Sequence, residues 1–341
     1  VQKLGINCIV ERLRIVKPSV KTWLGEDLYE ILGQQNINLE DIANPVLLTF
    51  LKGMNKDKIA ETFRNQESIL EKYIELLFKR DNDRQELCLS KKEHYEILKK
   101  IAGNFALYDI TAESSEFIQE LIEEILENNI LNLLERYREN NLISRQILTK
   151  QEYIQRLAHS CLLDRVSFSQ NNYGFINEYI LGILAGDAVL DGINANELTE
   201  RYLDIINTAY RGRSDEKRRE LYKKIEDRLS QVDDACRLYA DCSLLKSVKH
   251  YSKAYFKSFE FDENICFTEE TMFDECTFES CCFSKSTLKR RMFRKCYFFN
   301  CQFYEIVLDK PGFDDSIFVH CVGEEKLVLP YQQERVKQPV L

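Results

Sequence analysis

Between Thr271 and His320 the hydrophobic pattern has a period of five. Starting at Phe273, every fifth residue is Phe or Leu: Phe273, Phe278, Phe283, Leu288, Phe293, Phe298, Phe303, Leu308, Phe313 and Phe318. A helix face needs apolar spacings averaging 3.6 and a strand needs 2, so a sustained five belongs to neither. It describes a repeat in which each unit supplies one inward side chain and one corner. A second position runs in register two residues earlier: Thr271, Cys276, Cys281, Ser286, Arg291, Cys296, Cys301, Ile306, Pro311 and Ser316. Small residues dominate it.

A large centre preceded at two by a compact residue resembles the pentapeptide-repeat family. That resemblance implies a right-handed, quadrilateral β-helix with one pentapeptide on each side. Residues twenty apart should then stack, as Phe273 with Phe293 and Phe313, Phe278 with Phe298 and Phe318, and Cys281 with Cys301 and Cys321. One coil cannot bury its own inward face, whereas stacked coils share a core and satisfy each other's backbone at strand spacing. Each buried Phe or Leu contributes about 1.5–3 kcal/mol before ordering entropy is subtracted. A stack of only two to three coils has two exposed ends, so a helix or other cap is expected on at least one. Arg291 and Pro311 interrupt the compact column at one corner, where distortion is expected.

Upstream the period changes to that of helices. Ile69, Leu70, Tyr73, Ile74, Leu77 and Phe78 share one helical face, with Ser68 and Glu71 as a capping-box start. Ser90 and Glu93 open a helix carrying Tyr95, Leu98, Ile101 and Phe105, and Phe117 to Leu126 forms an acidic amphipathic helix. Thr149 and Glu152 cap a further helix to about His159. Leu162, Val166 and Phe168 then lead through Ser169-Gln170-Asn171-Asn172 to Tyr173-Gly174-Phe175, a predicted hairpin with an Asn-rich turn. Helix, hairpin, helix at this spacing is a winged-helix arrangement. The helix from Asn177 to about Val189 is apolar on most sides and predicted to be buried. A charged helix opens at Ser214-Asp215-Glu216 and another lies near Asp233, and the pair is expected to dock as a connector on the first coil.

The predicted fold class is therefore α+β and multi-domain: mainly helical for two thirds, with a winged-helix-like part, then a short quadrilateral β-helix. The expected divisions are a helical domain over 1–85, a winged-helix-like helical domain over 86–205, a helical linker and cap over 206–258, the pentapeptide repeats over 259–322 and a tail over 323–341, in which Leu327-Val328-Leu329 reads as a last strand.

Composition narrows the function. The 341 residues carry a net charge of −9, which argues against general nucleic-acid coating or anionic-membrane binding. No apolar run approaches membrane-spanning length and no secretory signal pattern opens the chain, so a cytoplasmic location is expected. Five of the 12 cysteines, Cys276, Cys281, Cys296, Cys301 and Cys321, occupy the compact repeat position, where a thiol serves as a small hydrophobe. A zinc site from Cys276, Cys281, Cys296 and Cys301 is the competing reading, but its spacing fits no Cys-x-x-Cys knuckle. The four histidines, His94, His159, His250 and His320, show no metal spacing, and no metal or cofactor is expected in this chain.

Two stretches resemble the region downstream of the nucleotide site in NACHT-type STAND NTPases. Asn44-Pro45-Val46-Leu47-Leu48 is similar to the family helix that begins with Pro, which implies that Pro45 lines the adenine pocket. The alternative is that Pro45 occupies a first helical turn, where its missing N–H costs nothing. Phe175-Ile176-Asn177-Glu178-Tyr179 resembles the winged-helix signature, which implies that Asn177 stands at a phosphate-contacting position where the family often has His. Asn can donate a hydrogen bond but carries no charge, and it serves equally as a helix N-cap. No Gly-x-x-x-x-Gly-Lys-Ser/Thr loop occurs, so the chain is read as non-catalytic by itself; ATP or ADP with Mg would require a P-loop domain upstream of Val1, which lacks an initiating Met.

The leading expectation is thus a regulatory or sensor portion of a STAND-type signalling NTPase, of the kind used in bacterial defence. Its β-helix would be a protein-interaction or ligand-sensing module, its partner a protein or the upstream NTPase domain, and oligomerisation would accompany activation. Tyr297, Phe299 and Tyr304 lie between inward positions and are candidate exposed contacts. Lys289, Arg290, Arg291, Arg294 and Lys295 form a candidate basic patch. The alternatives are a stand-alone pentapeptide-repeat adaptor and a winged-helix DNA-binding protein reading bases through Lys150, Gln151, Gln155 and Arg156.

Overall fold

A computed structural model describes residues 19–34, 45–54, 59, 66–85, 87–140, 148–159, 163–167, 172–175, 178–262, 265, 267–284, 287–288, 292–308 and 313–323. The chain divides into two compact units, Val1–Tyr73 and Ile74–Leu341. The described helices are α1 (Val20–Leu24), α2 (Glu26–Gly33), α3 (Pro45–Lys52), α4 (Gln66–Gln85), α5 (Lys91–Leu107), α6 (Ser115–Leu126), α7 (Ile130–Asn140), α8 (Lys150–Ala158), α9 (Glu178–Leu190), α10 (Glu200–Tyr210), α11 (Asp215–Leu229) and α12 (Asp234–Ala240). Short strands β1 (Ala112–Ser114), β2 (Leu163–Ser167) and β3 (Asn172–Phe175) lie among them, and a run of strands begins at Val248. The fold is α+β.

In the first unit Val20, Leu24, Leu28, Leu32, Leu47, Leu48 and Leu51 are buried, as the helical spacing of these leucines requires. Helix α4 begins by Gln66, so Ser68 lies inside it and is not its N-cap. Gln66 and Glu67 are good helix formers and carry the helix past the capping signal.

The second unit opens with helices whose starts follow the sequence. Ser90 and Thr149 each accept from the backbone N–H three residues on, while Glu93 and Glu152 accept from the cap N–H in return. Ser214 and Asp233 cap α11 and α12 by accepting from the N–H of Lys217 and Cys236, without a return bond from the third residue. The expected hairpin is present as β2 and β3, and β1 joins it antiparallel to give the order β1-β3-β2. Strand β1 was not legible, because three half-buried residues carry no alternation to detect.

Helix α9 is buried along most of its length. A Cβ on Gly182 would come 2.5 Å from the Ile205 carbonyl oxygen, so α9 and α10 meet backbone to backbone there. One polar cluster lies in this packing: Asp187 accepts from the hydroxyls of Tyr95 and Tyr210, and from Arg213 at 3.0 and 3.1 Å. A partly buried carboxylate is tolerable when its oxygens are so occupied.

From Val248 the chain runs in short strands that pair parallel with strands one circuit later. These are β4 (Val248–Ser252), β5 (Tyr255–Lys257), β6 (Glu260–Phe261), β7 (Phe267–Asp274), β8 (Thr277–Glu279), β9 (Cys282–Ser284), β10 (Thr287–Leu288), β11 (Phe293–Arg294), β12 (Tyr297–Phe299), β13 (Gln302–Tyr304), β14 (Val307–Leu308), β15 (Phe313–Asp314) and β16 (Ile317–Val319). They form four parallel columns, β4-β7-β11-β15, β5-β8-β12-β16, β6-β9-β13 and β10-β14. Phe273 pairs with Phe293 and Phe293 with Phe313; Phe278 with Phe298 and Phe298 with Phe318; Phe283 with Phe303; Leu288 with Leu308.

The stack starts earlier than the repeat arithmetic indicated. Tyr251, Phe256 and Phe261 are themselves five apart and pair with Phe273, Phe278 and Phe283, so residues 248–258, expected as helical linker, belong to the strands. Their offset is 22 rather than 20, because two extra residues enter between Phe261 and Phe273. That insertion shifts the phase and hides the first circuit from a search for strict fives. Before Val248 lie α11, α12 and the turn Asp241–Leu245, and Leu238 and Cys242 join the core of the first circuit.

Corners and compact positions have a shared backbone logic. Lys253, Ser258, Glu275, Ser280, Lys295, Asn300, Glu305, Asp315 and His320 all have φ between 50° and 58°. Their left-handed conformation turns the chain, and six of them, Lys253, Ser258, Glu275, Ser280, Lys295 and Asn300, donate their N–H to a carbonyl one circuit on, as from Glu275 to Arg294 at 2.9 Å. The thiols of Cys276, Cys281, Cys296, Cys301 and Cys321 donate to the carbonyls of Tyr251, Phe256, Phe273, Phe278 and Phe298 at 3.2–3.4 Å. The compact residue is therefore a donor across circuits as well as a small hydrophobe. The corner at Arg291 and Pro311 lies outside the described residues.

Candidate interaction surface

Alternation along each strand decides what the stack shows to solvent. In the column β5-β8-β12-β16 the central residues Phe256, Phe278, Phe298 and Phe318 point inward, so their neighbours point out. The outward residues form two ladders: Tyr255, Thr277, Tyr297 and Ile317 on one, Lys257, Glu279, Phe299 and Val319 on the other.

The two ends of this face differ in chemistry. In the first two circuits Lys257 Nζ lies 3.1 Å from Glu279, and the Tyr255 hydroxyl donates to the same carboxylate. The Tyr255 and Lys257 contacts hold Glu279 below the usual carboxylate range. In the last two circuits the outward positions are Tyr297, Phe299, Ile317 and Val319, and the first three are 46%, 38% and 49% exposed. Tyr304 and Val322, also exposed, extend the strip on the neighbouring column, and the His320 ring stands edge-on to Phe299 at 6.2 Å. Exposed aromatic and branched side chains contiguous over two strands mark a contact surface.

The adjacent column is charged, with alternating sign. Arg294 binds Asp274 through two hydrogen bonds of 2.7 and 2.5 Å, and Glu275 lies 4.0 Å from Lys253 and 3.8 Å from Lys295. The Arg294 guanidinium holds Asp274 below its ordinary range. Thus two residues of the expected basic patch, Arg294 and Lys295, each stand over an acid, while Lys289, Arg290 and Arg291 lie outside the described residues.

Pro45 is the first residue of α3, and its side chain and Asn177 lie outside the described residues. In α8, Lys150 pairs with Glu123, Gln151 bonds Gln119, and Arg156 stacks over the Tyr137 ring at 5.8 Å. Tyr297, Phe299 and Tyr304 are exposed, as their spacing indicated. Tyr255 and Ile317 were missed: the first lies in the phase-shifted circuit, and the second reads as an ordinary strand residue until its neighbours are known. Among the described residues no group of three His, Cys, Asp or Glu is placed to hold a metal ion, and no helix is long and apolar enough to cross a membrane.

Comparison with protein-family models, curated proteins and solved structures returned no match.

Proposed function

We propose that this chain is a non-catalytic protein-binding module whose strand stack is a quadrilateral β-helix of pentapeptide repeats. Four columns of parallel strands with an offset of 20 support one pentapeptide per side. The observation that carries the function is the uncharged strip Tyr297, Phe299, Ile317 and Val319, with the ion pair Lys257–Glu279 earlier in its own column and Arg294–Asp274 in the next. A surface without unpaired charge at its centre fits a partner of the same character, an apolar, uncharged protein segment. Nucleic acid would instead need a continuous positive face.

The helical part is proposed to come from a STAND-type signalling NTPase, with the stack as its sensor. The α8-β2-β3-α9 order and the sheet β1-β3-β2 are consistent with a winged helix, and α3 begins at Pro45 as the resemblance implies. Nucleotide, Mg and catalysis would then belong to an upstream domain, in a cytoplasmic protein.

The surface is tested with a photo-reactive phenylalanine analogue placed at Tyr297 in the full chain and illuminated in the native host. A discrete heteromeric adduct, abolished by Ile317→Asp and absent when the analogue replaces Glu260, is expected. An adduct at twice the mass of the chain would replace the partner by a second copy, and no adduct would refute the surface.

A further inference from the structure

One carboxylate joins the helices to the first circuit. After α12 the chain makes a π-helical turn, Asp241–Leu245, and ends it with Lys246 in the left-handed conformation. Wide turns of this kind re-aim side chains and recur at functional positions. Asp241, the first residue of the turn, is only 9% exposed. Its Oδ1 accepts from the Tyr222 hydroxyl on α11 and its Oδ2 from the Tyr251 hydroxyl on β4, both at 2.8 Å. Three separate elements therefore meet at one side chain.

The identity of Tyr251 adds to this. In its column the later inward residues are Phe273, Phe293 and Phe313, stacked ring on ring. A hydroxyl replaces hydrogen in the circuit next to the helices, where it reaches Asp241. Arg237 of α12 covers the same ring at 5.7 Å, and Tyr255 N–H donates to Asp234 at 2.8 Å. The charged and titratable groups facing Asp241 are Tyr222 and Glu226 from α11, Arg237 from α12 and Tyr251 from the first circuit.

We propose that Asp241 is a latch: it holds the segment Asp234–Leu245 onto the first circuit, and its release uncouples the strand stack from the helices. This goes beyond the proposed function and does not depend on what binds the stack. Burial pushes the Asp241 carboxyl above the usual range, against the hydrogen bonds of Tyr222 and Tyr251 and the charge of Arg237. A group whose pKa is raised in the closed state stabilises that state below its ordinary pKa, and the stabilisation is lost as pH rises through the raised value. The latch is accordingly tightest below the ordinary carboxylate pKa and loosens as pH rises.

Hydrogen exchange on the full chain tests this, with rates divided by intrinsic rates, from about pH 4 to about pH 7. Tyr251→Phe should lower protection of residues 234–247 about tenfold while residues 293–303 keep theirs. Protection in that segment should fall with rising pH in the unmodified chain and stay flat in Asp241→Asn, which preserves shape without charge. Three results would overturn the latch: protection in Tyr251→Phe within about twofold of the original, a loss spread evenly over every circuit, or unaltered pH dependence in Asp241→Asn.

Discussion

The ring of Phe298 lies over that of Phe278 with centroids 4.8 Å apart and planes 7° from parallel, although twenty residues separate them. Both are fully buried, while Tyr297, beside Phe298 in the chain, is exposed. Replacing one inward ring removes contacts on two circuits at once and leaves a cavity. Phe298→Ala should cost about 3–5 kcal/mol in chemical denaturation, whereas Tyr297→Ala should stay within about 0.5 kcal/mol of the original. Equal effects would show that the alternation is not the source of stability.

The corner residues carry backbone strain that glycine would relieve. Ser280 is exposed with φ of 54°, and its N–H donates to the Phe299 carbonyl at 2.8 Å. A β-branched residue is poorly accommodated in that conformation, so Ser280→Val should lower stability by about 1–2 kcal/mol. Ser280→Gly should be neutral or mildly stabilising, since glycine adopts the left-handed region without penalty but has more freedom to lose. Thermal melts of the two variants, compared side by side, measure the difference.

Acid sensitivity should concentrate at Glu93. It accepts from Arg136 at 2.7 and 3.1 Å and from Ser90 N–H at 2.8 Å. These contacts, Arg136 foremost, lower its carboxyl to about 2. The stability this provides is fully present above the ordinary carboxylate pKa and is lost as pH falls through the lowered value. Because Glu93 is partly exposed, solvent screening reduces the contribution to about 1 kcal/mol. The acid limb of a stability profile should therefore be shallower in Glu93→Gln; an identical limb would rule the residue out.

Close helix packing gives another quantitative expectation. At Gly182 an added methyl meets the Ile205 carbonyl oxygen and the Ala209 methyl at 2.5 and 2.6 Å, and backbone cannot step aside as a flexible side chain can. Gly182→Ala should destabilise by about 1–3 kcal/mol, despite the better helix propensity of alanine. Gly33→Ala, where nothing lies within 4 Å, should cost nothing. Denaturant midpoints of both variants decide it.

Much of this molecule was legible because its strongest signals are local and periodic. Inward rings every five residues, caps at Ser90, Thr149, Ser214 and Asp233, and the hairpin around Asn172 all follow from spacing and from side chains that bond their own backbone. The exposed trio Tyr297, Phe299 and Tyr304 followed from the same alternation. What remained hidden depends on contacts between distant residues. The 22-residue offset is meaningful only once Tyr251 is seen against Phe273, and β1 only once β3 lies beside it. The thiol donors looked like small hydrophobes because their acceptor carbonyls lie 23 or 25 residues earlier. Arg294 and Lys295 looked like free positive charge until tertiary stacking set them over Asp274 and Glu275. Asp241 shows the division most plainly: its carboxylate is written in the sequence, but only folding brings Tyr222 and Tyr251 to its two oxygens and takes it out of water.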